Sequence, residues 1–547
     1  MKTSYLSCLF GVALCAAPAA STFAESPLYV FNSDGGAAAI AHVKGEVVRD
    51  VVCRELNELE GTAVTDFFWC PIVGGNVFIY PTKVGERIGD NIRDWEKIHP
   101  YYREQGRAMA DNLRQLIKGG EDPIVMLSAR AKELGIRFWL SCRMNEIHED
   151  DDRYMVVRSL FKEEHLDMLH GKNYHPAAVY AWKNDWSYAW DYSHEGVRSH
   201  FLALFNEWLQ YDIDGIELDF DRSPCLFPPG KEREGTPLLT DFVTKLRAAV
   251  NATAERRRYK VQLAVRVPPS LELCRTAGID IKTWIEQGLV DVVIPMDRGY
   301  FDPEPNLPEF VALGEPNRVA VLGGIEPKIR GYKQDSRQTF AATSSFLHHG
   351  ADGIYLFNYD CHRLMAQASK YGGVLQDYTP QEMAFLKHAL DPAVLRNHDK
   401  QYVVSHDTSN RLADDGGTRP LMCRLPVGET RSFTMTVGDD LAGAAKEKRI
   451  RLSRLIVTLK DCFPKSDELN LEINGQNQGP ERYDLTSRKP DLMVITLDDP
   501  PMRRGTNTVK VGLKPSSRQR CLIRSIDLNV DYRSSDDGHE GSSPRRE

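Results

Sequence analysis

The chain has 547 residues, 42% of them hydrophobic and 27% charged, which describes a globular protein of more than one domain rather than a disordered one. Its formal net charge of −8, with no basic tract ahead of the C-terminal tail, disfavours nucleic acid as a partner.

Residues 1–24 read as a secretion signal. Lys2 supplies the positive start, Tyr5 to Ala20 is apolar, and Ala17-Pro18-Ala19 and Thr22-Phe23-Ala24 offer small-residue cleavage sites. Cleavage is expected before Glu25, which places the protein outside the cytoplasm, secreted or periplasmic. The apolar run is shorter than a full span and no later segment could cross a bilayer, so no stable membrane insertion is expected. Eleven cysteines fall to nine after cleavage, an odd number, so at least one is free or pairs between chains. No CxxC or zinc spacing is present, and neither pairing nor oligomeric state follows.

From Leu28 to about Tyr378 short apolar runs alternate with helical patterns, the rhythm of parallel strands and crossover helices. Eight strands are expected: Leu28–Asp34, Val64–Cys70, Ile136–Asn145, Gly215–Asp221, Val261–Val267, Val290–Met296, Val319–Glu326 and Gly353–Asp360. Eight in this length predict a (β/α)8 TIM barrel over residues 26–393. Val197, Phe201, Leu204, Phe205 and Trp208 form one helical stripe, and Thr236-Pro237 reads as a helix start. Residues 400–533 carry short β-type runs, such as Leu469–Ile473 and Leu492–Leu497, separated by turns such as Asn474-Gly475. They predict an antiparallel β-sandwich. Residues 534–547 are expected to be a disordered tail.

The fourth strand carries the strongest signal. In Asp214-Gly-Ile-Glu217-Leu-Asp219-Phe-Asp221-Arg222 the three acids Glu217, Asp219 and Asp221 share one face, since side chains alternate along a strand. Buried carboxylates need partners, and a polar cavity at the C-terminal end of a barrel is where active sites lie. Other strand ends add Asp34, Arg143, Asn145, Glu146, Arg266, Asp297, Glu326, Asn358 and Asp360. The bland alternative is a structural network in which Arg143, Arg222 and Arg266 neutralise the acids. Glu326 follows Gly323-Gly324, which would leave room for a ligand, and Asp297 competes with it as a partner for strand four. The loop after strand three, residues 149–194, is long and aromatic; one or two of its rings, with Trp186 and Trp190 chosen, are expected as sugar-stacking platforms. Glu149–Asp152 does not match the EF-hand spacing, no HExxH or GxSxG is present, and neither a metal nor a cofactor is assigned.

The strand-four motif resembles bacterial glycosyl hydrolase-like barrels. So do Trp190-Asp191-Tyr192-Ser-His194-Glu-Gly-Val-Arg198, Arg266-Val267-Pro268 and Gly278-Ile-Asp280…Trp284…Gly288-Leu-Val-Asp291, over roughly residues 27–390. Barrels of the large retaining glycosidase clan place the acid/base on strand four and the nucleophile on strand seven, which maps onto Asp221 or Asp219 with Glu326. Chitinase-like barrels carry Asp-Gly-x-Asp-x-Asp-x-Glu on strand four; here Glu and Asp are exchanged at the ends of the acidic triplet. The resemblance implies a carbohydrate substrate and glycosidic bond cleavage. Asp221 is expected as proton donor, and Asp219 or Glu326 as nucleophile or base. Asp34, Arg143, Asn145, Glu217, Arg222, Arg266, Asn358, Asp360, Trp186 and Trp190 are the expected substrate contacts. Two alternatives are a non-catalytic carbohydrate-binding barrel and a metal-dependent hydrolase with Asp34, Asp219 and Asp221 as ligands.

Overall fold

The computed structural model describes residues 27–533 except 36–47, 74–75, 149–151, 172–185, 297–304, 327–334, 361–376, 405–422 and 518–520. The signal segment and the tail lie outside the described residues.

All eight expected barrel strands form. They are β1 (Leu28–Ser33), β2 (Asp66–Trp69), β3 (Arg137–Arg143), β4 (Gly215–Asp219), β5 (Gln262–Val267), β6 (Val292–Pro295), β7 (Ala320–Ile325) and β8 (Gly353–Leu356). Each pairs in parallel with its chain neighbours, and β8 pairs with β1, closing the barrel. The helices cover it by their apolar stripes. Helix Glu195–Trp208 buries Val197, Phe201, Leu204, Phe205 and Trp208, the five residues of the expected stripe. The helix expected to begin at Thr236-Pro237 begins earlier, at Glu232, and runs to Arg257 with Pro237 inside it. Pro237 and Arg233 are both exposed, so water can satisfy the carbonyl that proline leaves without a donor.

Alternation along the strands separates two cores. Outward residues such as Phe31, Phe67, Leu140, Leu218 and Val265 pack under the helices. Inward residues Val30, Phe68, Trp139, Ala264, Ile294, Leu322 and Tyr355 fill the lower barrel. This apolar plug makes the barrel a packed core and separates the polar residues of its upper end from the buried Asp66 and its partner Arg137 at the lower.

The C-terminal part is a sandwich of two antiparallel sheets. One runs Lys400–Val403, Cys521–Tyr532, Ile450–Lys460, Leu492–Asp498, Tyr483–Lys489, with Cys423–Leu425 also paired to Cys521–Tyr532. The other runs Thr430–Val437, Gly505–Leu513, Leu469–Ile473, Gln476–Gln478. Leu455, Val457, Ile526 and Leu528 of the first share a core with Phe433, Met435, Val509 and Val511 of the second. The turn Asn474-Gly475 has φ of 50° and 81°, the left-handed pair that a tight hairpin demands. One disulfide, Cys462–Cys521, lies in the sandwich. The barrel helix Ser336–His348 docks on this domain, Ser345 Oγ donating to Thr436 O at 2.9 Å and Ser344 Oγ to Asp439 at 2.8 Å.

Candidate active site

Strand register builds the site. Asp219 on β4 stands level with Arg143 on β3 and Arg266 on β5. One step lower, Glu217 stands level with Ser141 and Ala264. The three acids of strand four therefore form a ladder just above the apolar plug. Its cationic neighbours are set by parallel pairing rather than by flexible loops.

Arg266 is the central partner. It is fully buried, donates to Asp219 Oδ2 at 2.9 Å with Oδ1 in ion-pair contact at 2.8 Å, and donates to Asp221 Oδ2 at 3.1 Å. Its guanidinium lies 3.9 Å from the Phe357 ring centroid, a cation–π contact on its open face. Burial alone would drive the proton off Arg266, but Asp219 and Asp221 outweigh it and hold the group firmly charged. Asp219 and Asp221 thus share one buried cation, and either could act as nucleophile, base or charge stabiliser.

Glu217 behaves differently. It is fully buried, accepts from Asn32 Nδ2 at 3.3 Å, and no hydrogen bond of good geometry reaches its Oε1. Burial first, and then the charge of Asp219, push its carboxyl up to about 7. A carboxyl above its ordinary range beside acids paired with an arginine is the asymmetry that acid–base sites use.

A second cluster rises from Glu146, which follows the end of β3. Its carboxylate accepts from Arg143 and Arg222, each at 3.1 Å, and from the backbone N–H of Ile147 at 2.9 Å; His148 Nδ1 lies 2.5 Å away. Burial would raise Glu146, but Arg222, His148 and Arg143 together hold it well below the usual carboxylate range. Arg143 also pairs with Asp34 and donates to Asn358 Oδ1 at 3.2 Å. Asn358 has φ of 45°, a left-handed residue at the end of β8, and donates from Nδ2 to Asp34 at 3.1 Å. Asp360, fully buried, accepts from the backbone N–H of Asp34 at 3.1 Å.

Several expected contacts are committed to the protein itself. Asn145 is fully buried; its amide donates to the carbonyls of Trp190 and Cys225 at 3.2 and 2.6 Å and accepts from the Trp190 N–H at 2.7 Å. It ties the long loop down. Trp186 and Trp190 are 3% and 1% exposed, so neither ring is the open platform expected. Trp186 packs with Ile147, Ala189 and Cys225. Trp190 lies under the fully buried Lys162, whose Nζ is 5.1 Å from its ring and donates to the carbonyls of Glu146 and Tyr188 at 3.0 and 2.9 Å. The loop supplies short helices of its own, including Leu160–Glu164, and needs these rings as their core. Gly323 and Gly324 leave room not for a ligand but for Phe346 and Met296, whose side-chain atoms lie 2.1 and 2.6 Å from where a Cβ would stand. Glu326 is buried at the end of β7, across the barrel from β4. Asp297 lies outside the described residues, as do Tyr174, Tyr180 and Trp182.

The sequence places Asn32 and Glu146 among the polar strand ends without assigning either a role, and it gives no signal for His148, Ser141 or Tyr355. The metal-dependent alternative needs Asp34, Asp219 and Asp221 to converge. Instead Asp34 pairs with Arg143 while the other two pair with Arg266, and the described residues hold no group of three or more His, Cys, Asp or Glu placed for a metal. No helix among the described residues is long and apolar enough to cross a membrane.

No family model and no curated protein matches the chain. Solved structures similar to it include a cycloisomaltooligosaccharide glucanotransferase from Paenibacillus sp., at 9% identity, 92% coverage of this chain, 58% of that one and TM-score 0.33. An alpha-galactosidase from Thermus thermophilus aligns at 16% identity, 63% and 62% coverage and TM-score 0.33. The PgaB glycoside hydrolase domain from Bordetella bronchiseptica aligns at 10% identity, 64% and 99% coverage and TM-score 0.39. The chain spans less than two thirds of the length of the first two. All three scores fall below 0.5, so the barrel assignment rests on the closed strand topology itself.

Proposed function

We propose that this protein is a secreted glycoside hydrolase that cleaves a poly- or oligosaccharide by carboxylate chemistry at the mouth of the barrel. The observation that carries this reading is the ladder of Glu217, Asp219 and Asp221 at the C-terminal end of β4, its upper two acids held by Arg266. An oxocarbenium-like transition state needs a fixed negative charge beside it and a proton donor for the leaving oxygen. Asp219 or Asp221, paired with Arg266, supplies the charge as nucleophile or base. Of the acids outside that pair, Glu326 at the end of β7 is assigned the donor role, because Glu217, although its carboxyl is raised, stands one step deeper in the barrel. Asp34, Arg143, Arg222 and Asn358 line the same end and offer hydrogen bonds to sugar hydroxyls. The test is a polysaccharide array treated with the mature protein, with Asp221→Asn and with Glu326→Gln, each with and without chelator. Chelator-insensitive release of reducing sugar by the wild type, lost in both variants, is expected. Product formed equally by both variants would remove these acids from the reaction.

One observation favours a second reading, a non-catalytic carbohydrate-binding barrel. The side chains of Asp219 and Asp221 are only 1% and 4% exposed and both are neutralised by one arginine. That arrangement also serves pure structure. Saturable glycan binding with no product from any protein in the series would select it.

A further inference from the structure

A second polar cleft lies where the barrel meets the sandwich. Helix Ser336–His348 leads from β7 back to β8, so its last residue sits at the N-terminal face of the barrel, away from the strand ends. Ser344 and His348 of this helix, Arg396, and the sandwich residues Asp439, Arg449 and Arg504 are among those enclosing about 430 Å³. That volume falls in the range of small-molecule sites.

The charges of the cleft are unevenly spent. Asp439, in the floor, accepts from Ser344 Oγ at 2.8 Å and Tyr532 OH at 2.5 Å, and it pairs at 3.0 Å with the fully buried Lys400. Glu447, at the rim, takes two guanidinium groups, Arg396 and Arg449, each at 2.6 Å. Asp440 is turned to the helix it caps, accepting from the Gly443 N–H at 3.0 Å. Arg504 uses only Nε, donating to Gly438 O at 3.0 Å; its two terminal nitrogens have no partner among the described residues. The His348 ring also makes no hydrogen bond there. It sits beside Gly505, where a Cβ would come within 3.0 Å of Nε2 and where φ is +91°. The lining therefore presents an arginine fork and an imidazole with unused donors. Among the lining residues Arg396, Arg449 and Arg504 balance Asp439, Asp440 and Glu447, and Lys400, buried behind the cleft, takes up part of the Asp439 charge. The domain around the cleft is cationic: residues 400–533 hold 23 Lys and Arg against 18 Asp and Glu, in a chain whose net charge is −8.

We propose that this cleft is a second binding site, for the carboxylate or phosphate group of an anionic sugar, with Arg504 as its principal contact. A guanidinium with both terminal nitrogens free matches the paired oxygens of either group. That the ligand is a sugar rests on the glycosidase reading; that it is an anion does not.

The experiment is calorimetric titration of the full chain with trigalacturonate, with inorganic phosphate and with neutral maltotriose, repeated on Arg504→Gln and His348→Gln. Binding of at least one anion is expected, weakened about ten-fold in Arg504→Gln and less in His348→Gln, with maltotriose binding the same in all three proteins. Trigalacturonate without phosphate would name the carboxylate as the ligand, and phosphate alone the phosphoryl group. Equal anion binding by wild type and Arg504→Gln, or no anion binding at about 10 mM ligand, would overturn the proposal. No turnover is read, so an inactive barrel mouth leaves this result intact, and hydrolysis without anion binding would refute the cleft alone.

Discussion

Arg266 and Asp219 stand level on adjacent parallel strands, both essentially excluded from solvent, and are joined by a hydrogen bond of 2.9 Å to one carboxylate oxygen and an ion-pair contact of 2.8 Å to the other. The pair is a product of register: any slip of β5 against β4 would turn Arg266 into the apolar layer under the helices. Because the same guanidinium also holds Asp221, removing it strands two buried negative charges. Arg266→Leu is expected to lower the unfolding free energy by about 3–5 kcal/mol, or to prevent folding, as broken buried pairs do. Arg266→Lys keeps the charge but loses the fork, and should fall between the two. Urea unfolding of the three proteins measures the order; an unchanged midpoint for Arg266→Leu would show that the acids are not both ionised.

The raised carboxyl of Glu217 gives the fold a pH signature. The native state binds this proton more tightly than the unfolded chain does. The stabilisation is therefore complete below the unfolded value of 4.5 and fades as pH rises through about 7. Glu217→Gln mimics the protonated group at every pH. It should match the wild type near pH 4 and exceed it above pH 7 by up to about 3 kcal/mol. Unfolding curves at pH 4 and pH 8 decide this, and a variant less stable than the wild type at pH 8 would mean that the fold favours the carboxylate and that the Glu217 carboxyl is not raised.

Division of labour between the acids is read in kinetics. If Glu326 is the proton donor, Glu326→Gln should cost about 10²- to 10⁴-fold in kcat on a substrate with a poor leaving group. The loss should be much smaller on an aryl glycoside whose leaving group needs no proton. Asp221→Asn should impair both substrates alike. The reverse pattern would return the donor role to Asp221.

Cys462–Cys521 links two points 59 residues apart in the sandwich. Constraining a loop of that length in the unfolded chain stabilises by about 4 kcal/mol in the chain-entropy account. Cys462→Ala with Cys521→Ala should lower the sandwich transition in a calorimetric scan by several degrees. If the barrel transition moves with it, the docking of Ser336–His348 on the sandwich couples the two.

Much of this architecture was written in residue order. Eight apolar runs at βα spacing, the stripe of Val197 to Trp208, and Asn474-Gly475 are local patterns, because side-chain periodicity and left-handed turns depend on neighbours in the chain. The acidic face of strand four was legible for the same reason. What a residue touches across strands was not. Alternation places Asp219 and Arg266 on inward faces, but only the register makes them level. Trp186 and Trp190 looked like platforms because an aromatic loop reads the same whether its rings face a ligand or one another. Asn145 and Gly324 looked like site residues until Trp190 and Met296 took up their hydrogen bonds and their space. Composition and period thus determined the barrel, the sandwich and the strand that carries the acids. The tertiary structure decided which acids are paired and which has its carboxyl raised, because burial and charge are properties of surroundings assembled from strands distant in sequence.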